Sequence, residues 1–472
     1  ATEYNIYRES AGYYGFIGTS KSTSFRDENF EPDTATTPKT NWNPFASDNP
    51  SCVCFHQQRM VLAGMKKNPA TFYMSRTGDY ENFRKSFPLK DDDPVEFMVA
   101  SGSIDDIKWC VSFDNLLLGT SGAEYKVSAG NGSITSKDVS ISVQSYWGSS
   151  NIQPLIIGQS IMHSQRNGSH VRDLYYSGES DGYSGNDLSL LAPHLVETHQ
   201  LKQWCFQQSP GSNIWAVRED GVLLCLTYEK QQNVFGWSRH VTDGKVISVC
   251  SLCGDTEDVV LMVVQRTING ATKYYLERLA TRFKDTSAIA DAYYVDCGKT
   301  VTASTATTSF SGFRHLEGKT VSVLADGSPE THVVKNGAIE LDYPAKKVLV
   351  GLGYDSVLSP MPIETDTGGG TTMGKRRAYG KCLVRFFRSV GGQYASTRLG
   401  DIFDVNAWKN RQWFDFPYVP EKYGEACQPY SGDIEFSLPG GQDADTSILI
   451  KQDRPLPLRI VAIMCDVDFG EQ

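Results

Sequence analysis

Cys250 and Cys253 have the C-x-x-C spacing with which a turn offers two thiolates to a zinc ion or to each other. Structural zinc takes four ligands, commonly two such pairs, and the chain has no second C-x-x-C. Cys52, Cys54 and His56 alternate, so a strand there puts all three on one face as half of a composite site. Asp91, Asp92 and Asp93 form a carboxylate run before a proline, but without the ligand spacing of a calcium loop; the run reads as a solvated acidic turn. Glu179, Asp181 and Asp187 lie close together in a Gly/Ser-rich stretch, and paired carboxylates are the machinery of glycoside hydrolysis. Against that stands the ordinary reading of carboxylates solvated in a loop. The chain has no G-x-S-x-G nucleophile turn, P-loop or G-x-G-x-x-G fingerprint. Gly368–Gly370 is a lone glycine run, and Lys375, Arg376 and Arg377 read as a solvated basic turn. No catalytic, cofactor-binding or metal-ligating residue is expected.

The elements that must carry these residues are strands. Residues 203–240 (QWCFQQSPGSNIWAVREDGVLLCLTYEKQQNVFGWSRH) read as four, at 203–207, 213–218, 222–229 and 234–240. Each is rich in β-branched and aromatic residues and bounded by turn formers, with Glu-Asp-Gly as the second turn. A four-stranded meander of about 40 residues is one blade of a β-propeller. Its second strand recurs at 59–64, 115–120, 160–165, 213–218 and 259–265, intervals of 56, 45, 53 and 46 residues between starts. Third strands follow at 71–76, 124–128, 171–177, 222–229 and 273–279. The reading is an all-β chain with a propeller-like core of about five or six blades; a series of β-sandwiches is the competitor. Cys54, Cys110, Cys205 and Cys250 fall on first strands of four repeats, the innermost position of a blade, where a buried thiol serves as a small apolar group. Trp109, Trp147, Trp204, Trp215 and Trp237 are expected between blades.

Along the 472 residues, six segments are expected: the end of a fibronectin-like hairpin at 1–26, an extended linker at 27–50, the propeller-like core at 51–297, a Thr/Ser/Ala linker at 298–311, a small closed β-barrel of five or six strands at 312–365, and a C-terminal β domain at 366–472 that forms a sandwich or completes the core. Helical periodicity is confined to 187–196, with Asn186 or Asp187 as its cap, and to 281–292. The excursion at 177–199 interrupts the core, and excursions of this size are where partners dock; Glu179, Asp181, Tyr183 and Asp187 are the docking candidates.

Hydrophobic content of 40% with 11% aromatics excludes a disordered chain. The net charge of −10 argues against gripping nucleic acid, which depends on Lys and Arg at phosphates, but does not exclude a conduit that nucleic acid slides through, since a lumen lined with carboxylates repels phosphate. No run of about 18 apolar residues is present, so no membrane span is expected. No signal peptide is visible, and an odd count of eleven cysteines fits reduced thiols. The chain starts inside strand-like text, which points to a truncated or processed product.

Several stretches carry a family resemblance: 57–83 (QQRMVLAGMKKNPATFYMSRTGDYENF), 92–126 (DDPVEFMVASGSIDDIKWCVSFDNLLLGTSGAEYK), 178–194 (GESDGYSGNDLSLLAPH), 215–228 (WAVREDGVLLCLTY) and 266–278 (RTINGATKYYLER). In order, they resemble the tail nozzle, tail hub, stabilisation or tubular tail proteins of bacteriophages and prophages. Residues 315–327 (HLEGKTVSVLADG) resemble the small barrel of that family, and 450–461 (IKQDRPLPLRIV) its closing segment. Family members usually carry a further N-terminal portion. The resemblance implies a six-fold ring at the end of a short tail in the virion, an axial channel through which phage DNA passes without specific binding, adaptor or portal-proximal proteins and tail fibres as partners, and no cofactor. A receptor- or glycan-binding propeller module and a glycan-degrading enzyme are the alternative classes.

Overall fold

The computed structural model describes residues 4–10, 13–36, 44–46, 48–86, 89–99, 105–179, 181–367, 370–398, 408–418, 420, 422–438 and 443–470. Among them the regular elements are β-strands and four single 3₁₀ turns. Two compact units divide the chain. One comprises Ala1–Phe206 with Ser212–Arg239, the other Gln207–Gly211 with His240–Gln472.

In the first unit a hairpin, Tyr4–Ser10 with Tyr13–Ser20, precedes four consecutive antiparallel sheets. The first sheet is Cys52–His56, Arg59–Ala63, Thr71–Met74 and Val95–Met98. The second is Ile107–Ser112, Leu116–Thr120, Glu124–Ser128 and Ser140–Ser145. The third is Leu155–Ile157, Ser160–Ser164, Val171–Ser177 and Gly182–Ser184. The fourth is Leu201–Gln207, Asn213–Arg218, Leu223–Glu229 and Val234–His240. The first four second strands and the first four third strands of the expected pattern are present in these sheets, and the Glu-Asp-Gly turn closes on Gly221 at φ 91°.

The side-chain alternation of a strand explains why the second strands are apolar throughout. Leu116 and Leu118 pack toward the first sheet, against Val61, Phe72 and Met74. Leu117 between them points the other way, toward Ile161 and Leu174 of the third sheet. Ile161 and Met162 divide in the same manner, Met162 joining Ile214, Ala216 and Leu224 of the fourth. A sheet with neighbours on both faces has no solvent side, so its inner strands lose the apolar–polar alternation of a half-exposed sheet. Each such side chain, fully buried, contributes about 1.5–3 kcal/mol. Gly119 is dictated by the same crowding. It pairs directly with Trp109, whose ring lies where a Cβ would stand, 2.0 Å from Cε2.

The second unit begins with a three-stranded meander, Lys245–Leu252, Val259–Ile268 and Ala271–Arg278. The segment expected as a linker at 298–311 is instead part of a strand, Asp296–Ser311, which pairs with Ala338–Leu352. Its Thr and Val residues are β formers, and a partner strand supplies the pairing that a single-stranded reading cannot anticipate. Thr320–Ala325 and Ser328–Val333 complete a four-stranded sheet in the order 296–311, 338–352, 320–325, 328–333. This sheet is open: the expected closed barrel of five or six strands is not formed, because Asp296–Ser311 and Ser328–Val333 remain its two edges. Further on, one sheet of Ser356–Leu358, Thr446–Gln452, Gln393–Arg398 and Gln412–Trp413 and another of Tyr430–Ser437, Arg377–Ser389 and Ile460–Phe469 share a core. Phe386, Tyr394, Phe414 and Phe436 meet there with ring centroids 4.6–5.3 Å apart.

Neither expected helix forms. In 187–196 only Pro193–Leu195 makes a 3₁₀ turn. Proline lacks the N–H that a continuing helix needs and drives its predecessor out of the helical region; Ala192 accordingly sits at φ −136°, ψ 44°. In 281–292 only Ile289–Asp291 is helical, as one 3₁₀ turn.

Candidate functional site

The excursion after the third strand of the third sheet returns on itself. Gly182–Ser184 pairs back onto Val171–Ser177, with Tyr176 opposite Tyr183, and Asp181 takes a left-handed φ of 46° at the turn. The four candidate residues separate here. Tyr183 is buried with Trp109, Val111, Leu117, Ile161 and Leu174; its backbone N–H donates to Gln144 Oε1 at 2.9 Å, and burial pushes its phenol pKa up. Asp187 also turns inward, 2.9 Å from His170 Nδ1, and accepts from the Ser189 hydroxyl at 2.6 Å and its N–H at 2.9 Å. Asp181 is exposed and accepts from the Tyr176 hydroxyl at 2.7 Å. Glu179 is exposed. Asp181 and Asp187 are therefore held by separate partners, and Glu179 faces solvent. The exposed part of the excursion that carboxylate-based reasoning missed is apolar: Leu190 and Leu191 are 69% and 96% exposed, while Leu188, Leu195 and Val196 enter the core. The signal was present in the paired leucines before Pro193, but a helical reading assigns Leu191 to the buried stripe.

Polar groups are concentrated where sheets face one another. Between the second and third sheets, Glu124, 1% exposed, accepts from the Ser145 hydroxyl at 2.5 Å and the Ser149 hydroxyl at 2.8 Å. Burial raises its pKa, against the lowering effect of both hydroxyls. Ser149 Oγ lies 3.5 Å from His163 Nδ1, and burial pulls that imidazole down to about 4, so it is neutral. Serine, histidine and glutamate meet here, but the order is wrong for a nucleophile. The serine proton goes to the carboxylate and not to the imidazole, and all three groups are buried.

Between the third and fourth sheets, Asp173 is fully buried. It accepts from the Asn186 N–H at 2.7 Å, the Tyr228 hydroxyl at 3.1 Å and the Lys230 ammonium at 3.0 Å. Lys230 also donates to Ser160 Oγ at 3.0 Å and lies over the Tyr175 ring. Arg218 of the fourth sheet reaches Leu195 O at 2.8 Å and pairs with Asp220. These contacts join neighbouring sheets into one body.

The remaining sequence candidates resolve as structure. Of the aspartate run, Asp93 is fully buried and not solvated; it accepts from the Ser86 N–H and hydroxyl and from the Lys90 N–H, while Asp92 pairs with Arg76 at 2.5 Å. Arg377 is likewise buried and not part of a solvated basic turn, donating to Ile363 O at 3.0 Å. Residues 368 and 369 of the glycine run lie outside the described residues. The eleven cysteines are free. Cys110 and Cys205 are buried as their first-strand position implies, Cys54 is half-buried, and Cys250 is exposed together with Cys253, contrary to a buried place for the fourth thiol. His56 Nδ1 is bound to Ser112 Oγ at 2.8 Å, and Cys52 lies against Cys110. In the second unit an apolar cavity of about 300 Å³ is lined by Tyr294, Tyr354, Leu358, Ile450, Leu456 and Leu458, among others. Among the described residues, the donor atoms that converge closely enough to surround an ion are those of Glu330, His332 and Asp342.

The class is an all-β protein, whose first unit is built of successive antiparallel sheets joined by buried ionic and hydroxyl contacts. Residues 44–357 match the family described as bacteriophage nozzle protein, and the chain belongs to that family. It is a structural protein of a phage tail. No curated protein sequence matches the chain. Among solved structures it is similar to human WBSCR16 (12% identity, 48% of this chain and 67% of that chain, TM-score 0.28). It is also similar to an auxiliary nutrient binding protein from Bacteroides thetaiotaomicron (9% identity, 48% and 56%, TM-score 0.27) and to the Dos1 propeller (9% identity, 65% and 93%, TM-score 0.28). Superpositions this loose carry no functional argument. No helix among the described residues is long and apolar enough to cross a membrane.

Proposed function

We propose that the chain is the repeating subunit of a six-fold ring at the distal end of a short phage tail, where it walls the last part of the DNA-ejection channel. The observation that carries this reading is the family match over 44–357. The architecture supports it. Successive sheets act as propeller-like blades, and two of the seams between them combine apolar burial with a buried carboxylate, Glu124 between the second and third sheets and Asp173 between the third and fourth. A wall of this kind resists deformation by the chain it conducts, because moving one sheet would strand a buried charge without its partner. A head-to-tail interface repeated around an axis closes into a ring when the rotation fits.

The excursion at 177–199 is the surface that docks a neighbouring tail protein. Glu179 and Asp181 form its polar margin and Leu190 and Leu191 its apolar centre; Tyr183 and Asp187 shape it from inside. The channel surface is net negative, in keeping with the overall charge of −10, so that phosphate is repelled and the DNA does not adhere.

Electron microscopy of the tail, or of the full chain assembled in solution, tests the reading. Six copies around an open axis are expected, with carboxylates outnumbering Lys and Arg along the lumen. A two-fold or linear arrangement would overturn the ring, and a basic lumen would overturn the charge assignment. Glycan binding by an isolated subunit, with no ring in the particle, would favour a receptor-binding module instead.

A further inference from the structure

The sheet at 296–352 leaves one edge, Ser328–Val333, without a backbone partner on its outer side. Glu330 and His332 are two residues apart on that strand and share a face, while Thr331 and Val333 between and beyond them are exposed on the other. That face approaches the first half of Ala338–Leu352, where the Asp342 N–H lies 3.4 Å from Glu330 Oε2. One donor atom each from Glu330, His332 and Asp342 comes within 4.8 Å of the other two.

A second observation singles this group out. Glu330 Oε2 lies 2.8 Å from His332 Nε2, but Glu330 Oε1 is buried with no hydrogen-bond partner, on a side chain only 9% exposed. A histidinium–glutamate pair would account for Oε2 alone, and leaving a carboxylate oxygen buried and unpaired is costly. A cation resolves it. We propose that Glu330, His332 and Asp342 bind a divalent transition-metal ion, zinc or one of its neighbours, which clasps the edge strand Ser328–Val333 to the first half of Ala338–Leu352.

The donor set sets the metal class. An imidazole with two carboxylates suits zinc, manganese, cobalt or nickel, whereas calcium and magnesium take all-oxygen shells. Donors around an ion with bonds of about 2.0–2.2 Å stand roughly 3.3 Å apart in a tetrahedron. The widest pair therefore needs to close by at most about 1.5 Å, a movement that Asp342, the exposed member, is free to make, while the Glu330 Oε2–His332 Nε2 pair, at 2.8 Å, gives up its shared proton and opens slightly. Its exposure leaves the fourth position to water. The ion would supply across this gap the connection that strand pairing does not make.

The test uses the full chain stripped with EDTA, with Cys250→Ser and Cys253→Ser introduced so that the exposed thiols do not compete. Titration with Zn²⁺ should show one equivalent bound, a rise in Tm, and slower amide exchange in Ser328–Val333. Cobalt in place of zinc should give a d–d spectrum free of a thiolate charge-transfer band. His332→Ala and Glu330→Gln should each weaken binding by more than the roughly 10–100-fold known for loss of an outer-shell partner. Their circular dichroism and melting in EDTA should match those of the unsubstituted background, which separates loss of the site from loss of the fold. The proposal is overturned by no binding, by binding of Ca²⁺ in preference to Zn²⁺, by a thiolate band, or by an equivalent retained when both residues are replaced.

Discussion

A single imidazole makes the stability of the first unit depend on pH. His163 is fully buried beside Ser149 and the Trp109 ring, and burial lowers its pKa from 6.5 to about 4. As pH falls through this window the unfolded chain takes up a proton that the folded one refuses, so the stability His163 contributes is present above about 6.5 and lost toward about 4. The loss is on the order of 3 kcal/mol. Glu124, on the same seam, is linked in the opposite sense. Its pKa is raised by burial, so the folded state holds its proton more tightly, and stability from this group declines as pH rises above the ordinary value. His163→Gln removes only the first slope. Denaturant midpoints measured from pH 7 to pH 4 should show the unsubstituted protein losing about 3 kcal/mol more than the variant; parallel curves would mean that the imidazole is not neutral in the fold.

At the scale of elements, the third and fourth sheets are joined by a mixture of interdigitated apolar side chains and one anchoring charge. Asp173 illustrates the second. It sits on the third strand of the third sheet, and two of its partners, Tyr228 and Lys230, come from the fourth sheet and the turn after its third strand. Burial raises the Tyr228 pKa, so this hydroxyl stays protonated and donates. Asp173→Ala would leave the tyrosine hydroxyl and ammonium facing each other across a dry seam, a loss of about 3–5 kcal/mol. Lys230, one-third exposed, can swing part-way to water, which places the expected value at the lower end. Thermal denaturation should show the deficit, and Asp173→Asn should recover part of it by restoring an acceptor for Tyr228. An Ala variant that melts with the unsubstituted protein would show that the seam is held by its apolar contacts alone.

For the whole molecule, the question is which surface meets its neighbours in the tail. Leu191 is almost wholly exposed at the tip of the excursion, and its replacement touches no internal contact. Leu191→Asp should leave stability within about 0.5 kcal/mol of the unsubstituted protein, as surface changes usually do, while reducing incorporation into tails, because a carboxylate in an apolar contact is desolvated without a partner. Incorporation is measured by quantifying the chain in purified particles from cells that supply only the variant. Normal incorporation with normal infectivity would move the docking surface elsewhere.

Strand positions were legible in the sequence because they are written locally. Second strands at 59, 115, 160, 213 and 259 announce themselves through apolar runs bounded by turn residues, and a turn such as Glu219-Asp220-Gly221 needs only its own residues to form. Proline at 193 was equally local, and weighting it above the helical periodicity would have removed the expected helix. What the tertiary structure alone decided is partnership over distance. Asp296–Ser311 is a strand because Ala338–Leu352 lies beside it. Asp93, Asp187 and Arg377 look like solvated charges until the fold turns them inward. Glu330 and His332 acquire Asp342 through the approach of two strands that are not neighbours in the sheet. Backbone preference acts over a few residues, whereas a buried charge is defined by whichever distant group the packed chain brings within reach, and no local pattern records that meeting.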